Sequence, residues 1–418
     1  MEDETQDIYV EESDSSGDSY SEVSEESWFS RLGGAFKGVF IGGLIFLIGF
    51  PLLFWNEGRS VKRYKVLKEG AGSVVSIPAD RVDPQYNNKL VHITGLATTD
   101  EILSDGQSSM PSGISVNAIK LKRRVQMYQW QEKTNTKTEK KAGGGEQKIT
   151  TYSYNKIWSE NLIDSDKFKK RQEHANPRTM PYQSQTITAE KVTLGAFELP
   201  KSYVNRISGF EPLTVNTISS ALPESLRDKA QIVQDGYYIG QNPQSPQIGD
   251  MKVGYSIVKP VQVSLIAAQK GSSFEPYKMK KGSIDEFVTG SQTSEQMLGA
   301  AQSRNSTMAW ILRLAGFLAM FIGLAMIFKP LSVVFDVIPF LGNITEKGTS
   351  IVAFLIAAGC SLLTIATAWI FYRPLLAFLL IALAAGSVFG VKMLSERKGK
   401  KGRMPELTKS VPPPPPGG

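Results

Sequence analysis

The sequence is poor in the residues that most often do chemistry. Of its 418 residues one is cysteine, Cys360, and two are histidines, His92 and His174. A single cysteine excludes an intrachain disulfide. Cys360 also lies inside an apolar run, so the polar part must be held by packing alone, and a Cys–His metal centre there is excluded. The patterns HExxH, GxSxG and GxxxxGK[ST] are absent. His92, in LVHITG, alternates as a strand residue, and His174, in QEHANP, precedes a turn. Both read as structural. The carboxylates are scattered, and the Ser, Thr and Tyr residues have no evident base. No catalytic, cofactor-binding or metal residue is assigned, and the chain reads as a non-enzyme.

Charge of one sign is missing from each end. Residues 1–27 hold eleven Asp and Glu and no Lys or Arg. Such a Ser/Glu/Asp-rich stretch cannot bury enough apolar area to fold alone, so 1–30 is expected to be a disordered acidic cytoplasmic tail. Its alternating serines are candidate phosphorylation sites. At the other end Lys392, Arg397, Lys398, Lys400, Lys401 and Arg403 crowd together. This makes 393–418 a basic tail, closed by the polyproline-II-like VPPPPPGG. The net charge of +7 averages these unlike parts. The basic cluster abuts an apolar span, which points to anionic lipid and not to nucleic acid.

Long apolar runs are the dominant feature. Val39–Trp55 is just long enough to cross about 30 Å of hydrocarbon. It starts too late for a signal peptide and has no A-x-A-like site after it, so 38–55 is read as an uncleaved transmembrane helix. Met308–Phe328 forms a second span, 308–328. Its helix is expected to begin near Ser294, where S-E-Q reads as a cap, and to run out of the polar domain into the membrane. Spans 351–371 and 374–392 follow as a tight hairpin turned by Tyr372, Arg373 and Pro374. No acidic residue lies in any of the four spans, so Arg313 reads as snorkelling to the interface, not as a paired charge on a transport path. Between spans two and three, 331–350 reads as an interfacial or re-entrant linker broken by Asp336 and Pro339.

The fold class is a membrane protein with four transmembrane α-helices, one N-terminal and three C-terminal. A large β-rich α+β domain, 56–305, separates the first from the rest. The positive-inside rule puts both termini in the cytoplasm and the domain in a lumen or periplasm. Within the domain, Ala118–Gln131 and Thr150–Ile163 alternate and read as a hairpin held by aromatic pairs, with Glu132–Ile149 a long flexible tip. Other strands are expected at Val74–Ile77, Leu90–Leu96, Gln185–Ala189, Lys191–Phe197, Gln231–Ile239, Lys252–Val258 and Gln262–Ala268. A short helix is expected at Leu222–Ala230.

Several blocks, in order, carry a family likeness: FWNEGR at 54–59, LVHITG at 90–95, IKLKRRVQMYQW at 119–130 and YSYNKIWSENLI at 152–163. HANP at 174–177, NPQSPQIGD at 242–250, RNSTMAWILRLAGFLAMFIGL at 304–324 and FYRPLLA at 371–377 complete the series. With these the chain resembles the LUMA family, also called transmembrane protein 43, along nearly its whole folded length. The resemblance implies four spans, a lumenal domain, and residence in the endoplasmic reticulum and inner nuclear membrane of a eukaryote. In a bacterium the plasma membrane would take that place. It also implies self-association and contact with lamina-type proteins, and no catalytic residues or cofactors. The expected function is a membrane scaffold; the alternative is a channel or transporter subunit, for which Arg313, Ser361, Thr364 and Thr367 are the candidate polar positions.

Overall fold

The computed structural model describes residues 8–9, 19–105, 114–215, 227–233, 236–337, 339–375 and 378. All but three residues of the expected fourth span, 374–392, the whole tail 393–418 and most of the expected helix at Leu222–Ala230 lie outside these residues.

Among the described residues three helices are long and apolar enough to cross a membrane. Helix α1 covers Trp28–Ala71, α2 Ser294–Phe335 and α3 Pro339–Tyr372. Helix α1 is about 66 Å long, twice the hydrocarbon thickness, so it continues well past the span expected at 38–55. Its apolar run ends at Trp55, and the polar turns beyond it pack on the domain. Helix α2 begins at Ser294 as expected, with Thr293 as N-cap. The Thr293 side chain accepts from the Gln296 amide while the Gln296 side chain accepts from the Thr293 amide.

The linker expected at 331–350 is not a separate element. Helix α2 runs through Pro330 to Phe335, and α3 starts at Pro339. Asp336 does not interrupt an apolar segment in lipid: it caps α2 and pairs with Arg31 at 2.6 Å and Lys140 at 3.0 Å. The carboxylate that looked like a break is neutralised by residues far away in sequence.

Helices α1 and α2 approach closely because glycines face each other. A Cβ on Gly323 would stand 2.5 Å from the Gly42 carbonyl oxygen, and one on Gly42 would stand 2.6 Å from the Gly323 oxygen. Seven residues along each helix, Gly49 receives Met320 and Gly316 receives Leu53. This is small-residue helix packing of the kind that holds helices together in lipid.

The domain is built on two sheets. The strands used below are β1 (Ser19–Glu26), β2 (Leu90–Thr98), β3 (Lys120–Lys140), β4 (Glu146–Ser159), β5 (Ala230–Val233) and β6 (Gly236–Ile239), then β7 (Met251–Val258), β8 (Val261–Lys270) and β9 (Glu286–Thr289). One sheet runs β1-β4-β3-β7-β6-β5, and the other centres on β2 and β8, with β9 on the second edge of β8. Strands β7 and β8 are joined through Lys259–Pro260, so the chain changes sheet at that proline step. Val91, Ile93, Val263 and Leu265 of the second sheet share one core with Leu121, Val125, Val253 and Tyr255 of the first.

Strand β8 is buried on both faces from Val263 to Gln269, because its other face meets helices. Ile266 and Leu90 pack with Val66 and Leu67 of α1 and with Met297, Leu298 and Ala301 of α2. The order of layers is helices, second sheet, first sheet. The membrane helices therefore supply part of the domain's core.

The β3–β4 ladder is far longer than expected. Pairing runs from Met127↔Ser159 to Lys140↔Glu146, so most of the stretch read as a flexible tip, 132–149, is strand. The Tyr128–Trp158 aromatic pair occurs as expected, with ring centroids 5.1 Å apart. The outer half is stabilised by a strand the composition did not announce. Ser19–Glu26 pairs along Ser153–Glu146, so this part of the acidic tail is not disordered. Its carboxylates meet lysines: Glu25 pairs with Lys141, Glu26 with Lys148 and Glu22 with Lys169. The ladder beyond Met127 reaches about 43 Å. That matches the roughly 48 Å of α1 between Arg63, beside the domain, and Arg31, beside the hairpin tip.

Replacement Gly323→Leu is expected to cost about 1–3 kcal/mol by overpacking. The same change at Gly299, where a Cβ meets nothing within 4 Å, should be nearly neutral. Thermal unfolding of the two variants in detergent micelles checks this.

Candidate functional site: the polar junction of bundle and domain

The FWNEGR block carries α1 out of its apolar run. Asn56, Glu57 and Ser60 share the face turned toward α2, and all three are buried, Glu57 to 0 % exposure. A fully buried carboxylate has to be paired. Arg313 of α2 supplies a bidentate fork, with Nε to Oε1 at 2.6 Å and Nη2 to Oε2 at 3.0 Å. Trp369 of α3 donates its indole N–H to Glu57 Oε2 at 2.9 Å. The guanidinium also lies over the Trp310 ring, 4.7 Å from its centre. One carboxylate thus ties all three helices together.

Arg313 therefore does not snorkel. The expectation failed because Glu57 lies two residues beyond the apolar run and 256 positions from Arg313 in the chain. Its neighbours extend the junction. Asn56 donates to the Ala309 carbonyl and Asn305 to the Ser60 carbonyl, each at 2.9 Å. Arg59 reaches the side-chain oxygens of Asn305 and Asn56, each at 3.3 Å.

One layer further out, Glu286 of β9 receives Arg63 of α1 on one oxygen and Arg304 of α2 on the other. Arg63 also donates to the Ser283 carbonyl at 2.6 Å. Glu286 is 6 % exposed, so this bridge fixes β9 between the two helices. A similar clamp closes the far end of the bundle. There Arg31 binds Asp336 and Glu146, and the Trp28 indole donates to the Val333 carbonyl at 2.7 Å.

The histidines are used structurally. His92 Nδ1 lies 3.0 Å from Ser76 Oγ, and its Nε2 lies 2.9 Å from the Gln292 carbonyl at the entrance to α2. His174 stacks on Tyr154 at 3.8 Å and meets Trp130 edge-on. The HANP block has a second purpose. The Asn176 amide both accepts from the Trp130 N–H and donates to its carbonyl, imitating a strand partner. Elsewhere in the domain Lys120 donates to the Asn205 and Ile207 carbonyls, and burial pushes its pKa down. Among the described residues no group of three or more His, Cys, Asp or Glu could hold a metal ion.

These blocks coincide with a known family. The family model described as Transmembrane protein 43 matches residues 127–374. The chain belongs to the transmembrane protein 43 family. It is 34 % identical over 372 residues to Transmembrane protein 43 of Rattus norvegicus, covering 86 % of this chain and 90 % of the relative. It is 33 % identical over 373 residues to the Homo sapiens protein, covering 86 % and 91 %. The Drosophila melanogaster Transmembrane protein 43 homolog is 28 % identical over 362 residues, covering 84 % and 94 %. No solved structure matches. The transmembrane protein 43 match includes Arg313 and Trp369, and thus two of the three residues of the junction's central contact.

Breaking the central pair by Glu57→Leu or Arg313→Met alone should cost about 3–5 kcal/mol, because each leaves one buried charge unpaired. The double variant should recover much of that loss. A double-mutant cycle on thermal unfolding in micelles checks it.

Proposed function

We propose that this protein is a non-enzymatic membrane scaffold that organises membrane-protein assemblies. The observation that carries this reading is the unbroken passage of α1 and α2 from the bundle into the domain. Glu57–Arg313 and Glu286 fix the helices at that junction. A platform needs its binding surface held at a set angle to the membrane, and two continuous helices do this better than a linker. Helix α3 leaves an apolar outer face, with Leu355, Leu362, Leu363 and Ile370 exposed and open space beside Gly359. Self-association through that face would give a homo-oligomer. Family likeness supports residence in the endoplasmic reticulum and inner nuclear membrane of a eukaryotic cell, with lamina-type proteins as partners.

The channel or transporter reading draws no support from its candidate residues. Ser361, Thr364 and Thr367 donate to carbonyls of their own helix, those of Ala358, Cys360 and Leu363. The charge of Arg313 is neutralised by Glu57.

The scaffold reading is tested by chemical crosslinking in intact membranes. Dimers or larger species, with partner proteins captured, are expected; monomer alone would count decisively against it.

We further propose termini in the cytoplasm and the domain on the opposite face. This orientation sets the bilayer across the depth that the outer half of β3–β4 also covers. That half exposes Lys133, Lys137 and Glu139, and a charge at the bilayer centre costs about 2.5–3.5 kcal/mol even on insertion scales. The orientation therefore requires the hairpin to leave the bundle in a membrane, which separates β1 from β4, Arg31 from Glu146 and Lys140 from Asp336. Cysteines at Ser21 and Thr151, in a Cys360→Ser background, separate the two arrangements, because their hydroxyls are 3.0 Å apart in the ladder. Opposed faces predict labelling from opposite sides; a disulfide between the two in intact membranes would overturn that orientation.

A further inference from the structure

A cavity of about 310 Å³ opens where two spans end and the domain begins. That volume is at the lower end for small-ligand pockets, about 300–1,000 Å³. Arg59, Lys62 and Arg63 line it from α1, and Lys281 lines it from the turn before Gly282. None of its lining residues is acidic. Only Arg63 among these four cations has a carboxylate partner among the described residues, and it shares Glu286 with Arg304. Lys62 and Lys281 are exposed. Among the described residues Arg59 bonds only to neutral amide oxygens, and its Nε, though buried, has no acceptor there.

The apolar wall says where this positive pocket sits. Trp55 closes the apolar run of α1, and Tyr372 closes α3. Aromatic side chains at the ends of spans lie at headgroup depth. Trp55 is 57 % exposed and Phe371 beside Tyr372 is 69 % exposed, so the pocket adjoins surface suited to lipid. Phe54 packs on both Phe371 and Tyr372. Gly58 lets the Tyr372 ring come in over α1, since a Cβ there would be 2.6 Å from its Cζ.

We propose that this pocket binds the phosphate of an anionic phospholipid, whose acyl chains lie along α1 and α3. Unpaired cations attract the phosphate, and the unused Arg59 Nε–H supplies a directed donor. The aromatic edge and the exposed apolar face below it select a lipid over a soluble anion. The site is independent of the scaffold reading: it concerns the bilayer, not protein partners.

The test uses the full-length chain purified in micelles and native mass spectrometry with phosphatidylglycerol or phosphatidylcholine added. Phosphatidylglycerol should be retained in preference, and excess inorganic phosphate should not displace it. The double variant K62Q/K281Q, at exposed positions that do not support the fold, should weaken retention about 30-fold, taking roughly one kcal/mol per cation near a membrane surface. The control K201Q/K229Q, of equal charge loss outside the pocket, should leave it unchanged. Equal retention of the two lipids, or equal loss in both double variants, would overturn the site. Displacement by inorganic phosphate would overturn the lipid as its occupant.

Discussion

The structure turns on a carboxylate with nowhere to go. Glu57 has no exposed surface and sits where an apolar run meets a polar domain. Water cannot reach it, so its charge has to be met by protein. Arg313 and Trp369 do this, with α1, α2 and α3 each rotated to bring these side chains together. A buried pair of this kind adds little net stability, because desolvation offsets most of the attraction. Its effect is to make other rotations of the helices costly. The facing glycines at 42, 49, 316 and 323 agree with the same rotation, since they bring the backbones close only on that face.

From the junction the constraint passes into the domain. Helices α1 and α2 keep their relative register for several more turns, and the face they form covers β8 and β2. Strand β8 is then apolar on both sides, toward the first sheet and toward the helices. Polar residues on the helix side need partners there. Glu286 finds Arg63 and Arg304, and His92 finds Ser76 and the Gln292 carbonyl. Domain and bundle share a core, so neither is complete without the other.

Local patterns in this sequence are legible, and remote partners are not. The start of α2 was legible because a capping box lies within four residues. The strand expected at Lys252–Val258 and found at Met251–Val258 was legible because its side chains alternate. Residues 132–149 looked like a loop because Lys, Thr and Gly dominate them, and no property of that stretch shows that β1 will flank it. The tail strand looked disordered for the matching reason: Glu22, Glu25 and Glu26 are solvating alone and strand-forming only beside Lys169, Lys141 and Lys148. Asp336 looked like an interruption until Arg31 and Lys140 were seen beside it.

The sequence by itself determined that the chain has membrane-crossing helices, where three of them lie, that a β-rich domain falls between the first and second, and which family the chain resembles. These follow from the length of apolar runs, the period of alternation and the order of motif blocks, all read along the chain. Only the tertiary structure decided that Arg313 is paired, that the acidic tail adds a strand, that the hairpin reaches the far end of the bundle, and that cations gather at the foot of α1. Each of these joins residues separated by a hundred positions or more. Burial and charge pairing act through space, and local sequence holds no record of which distant side chain will arrive.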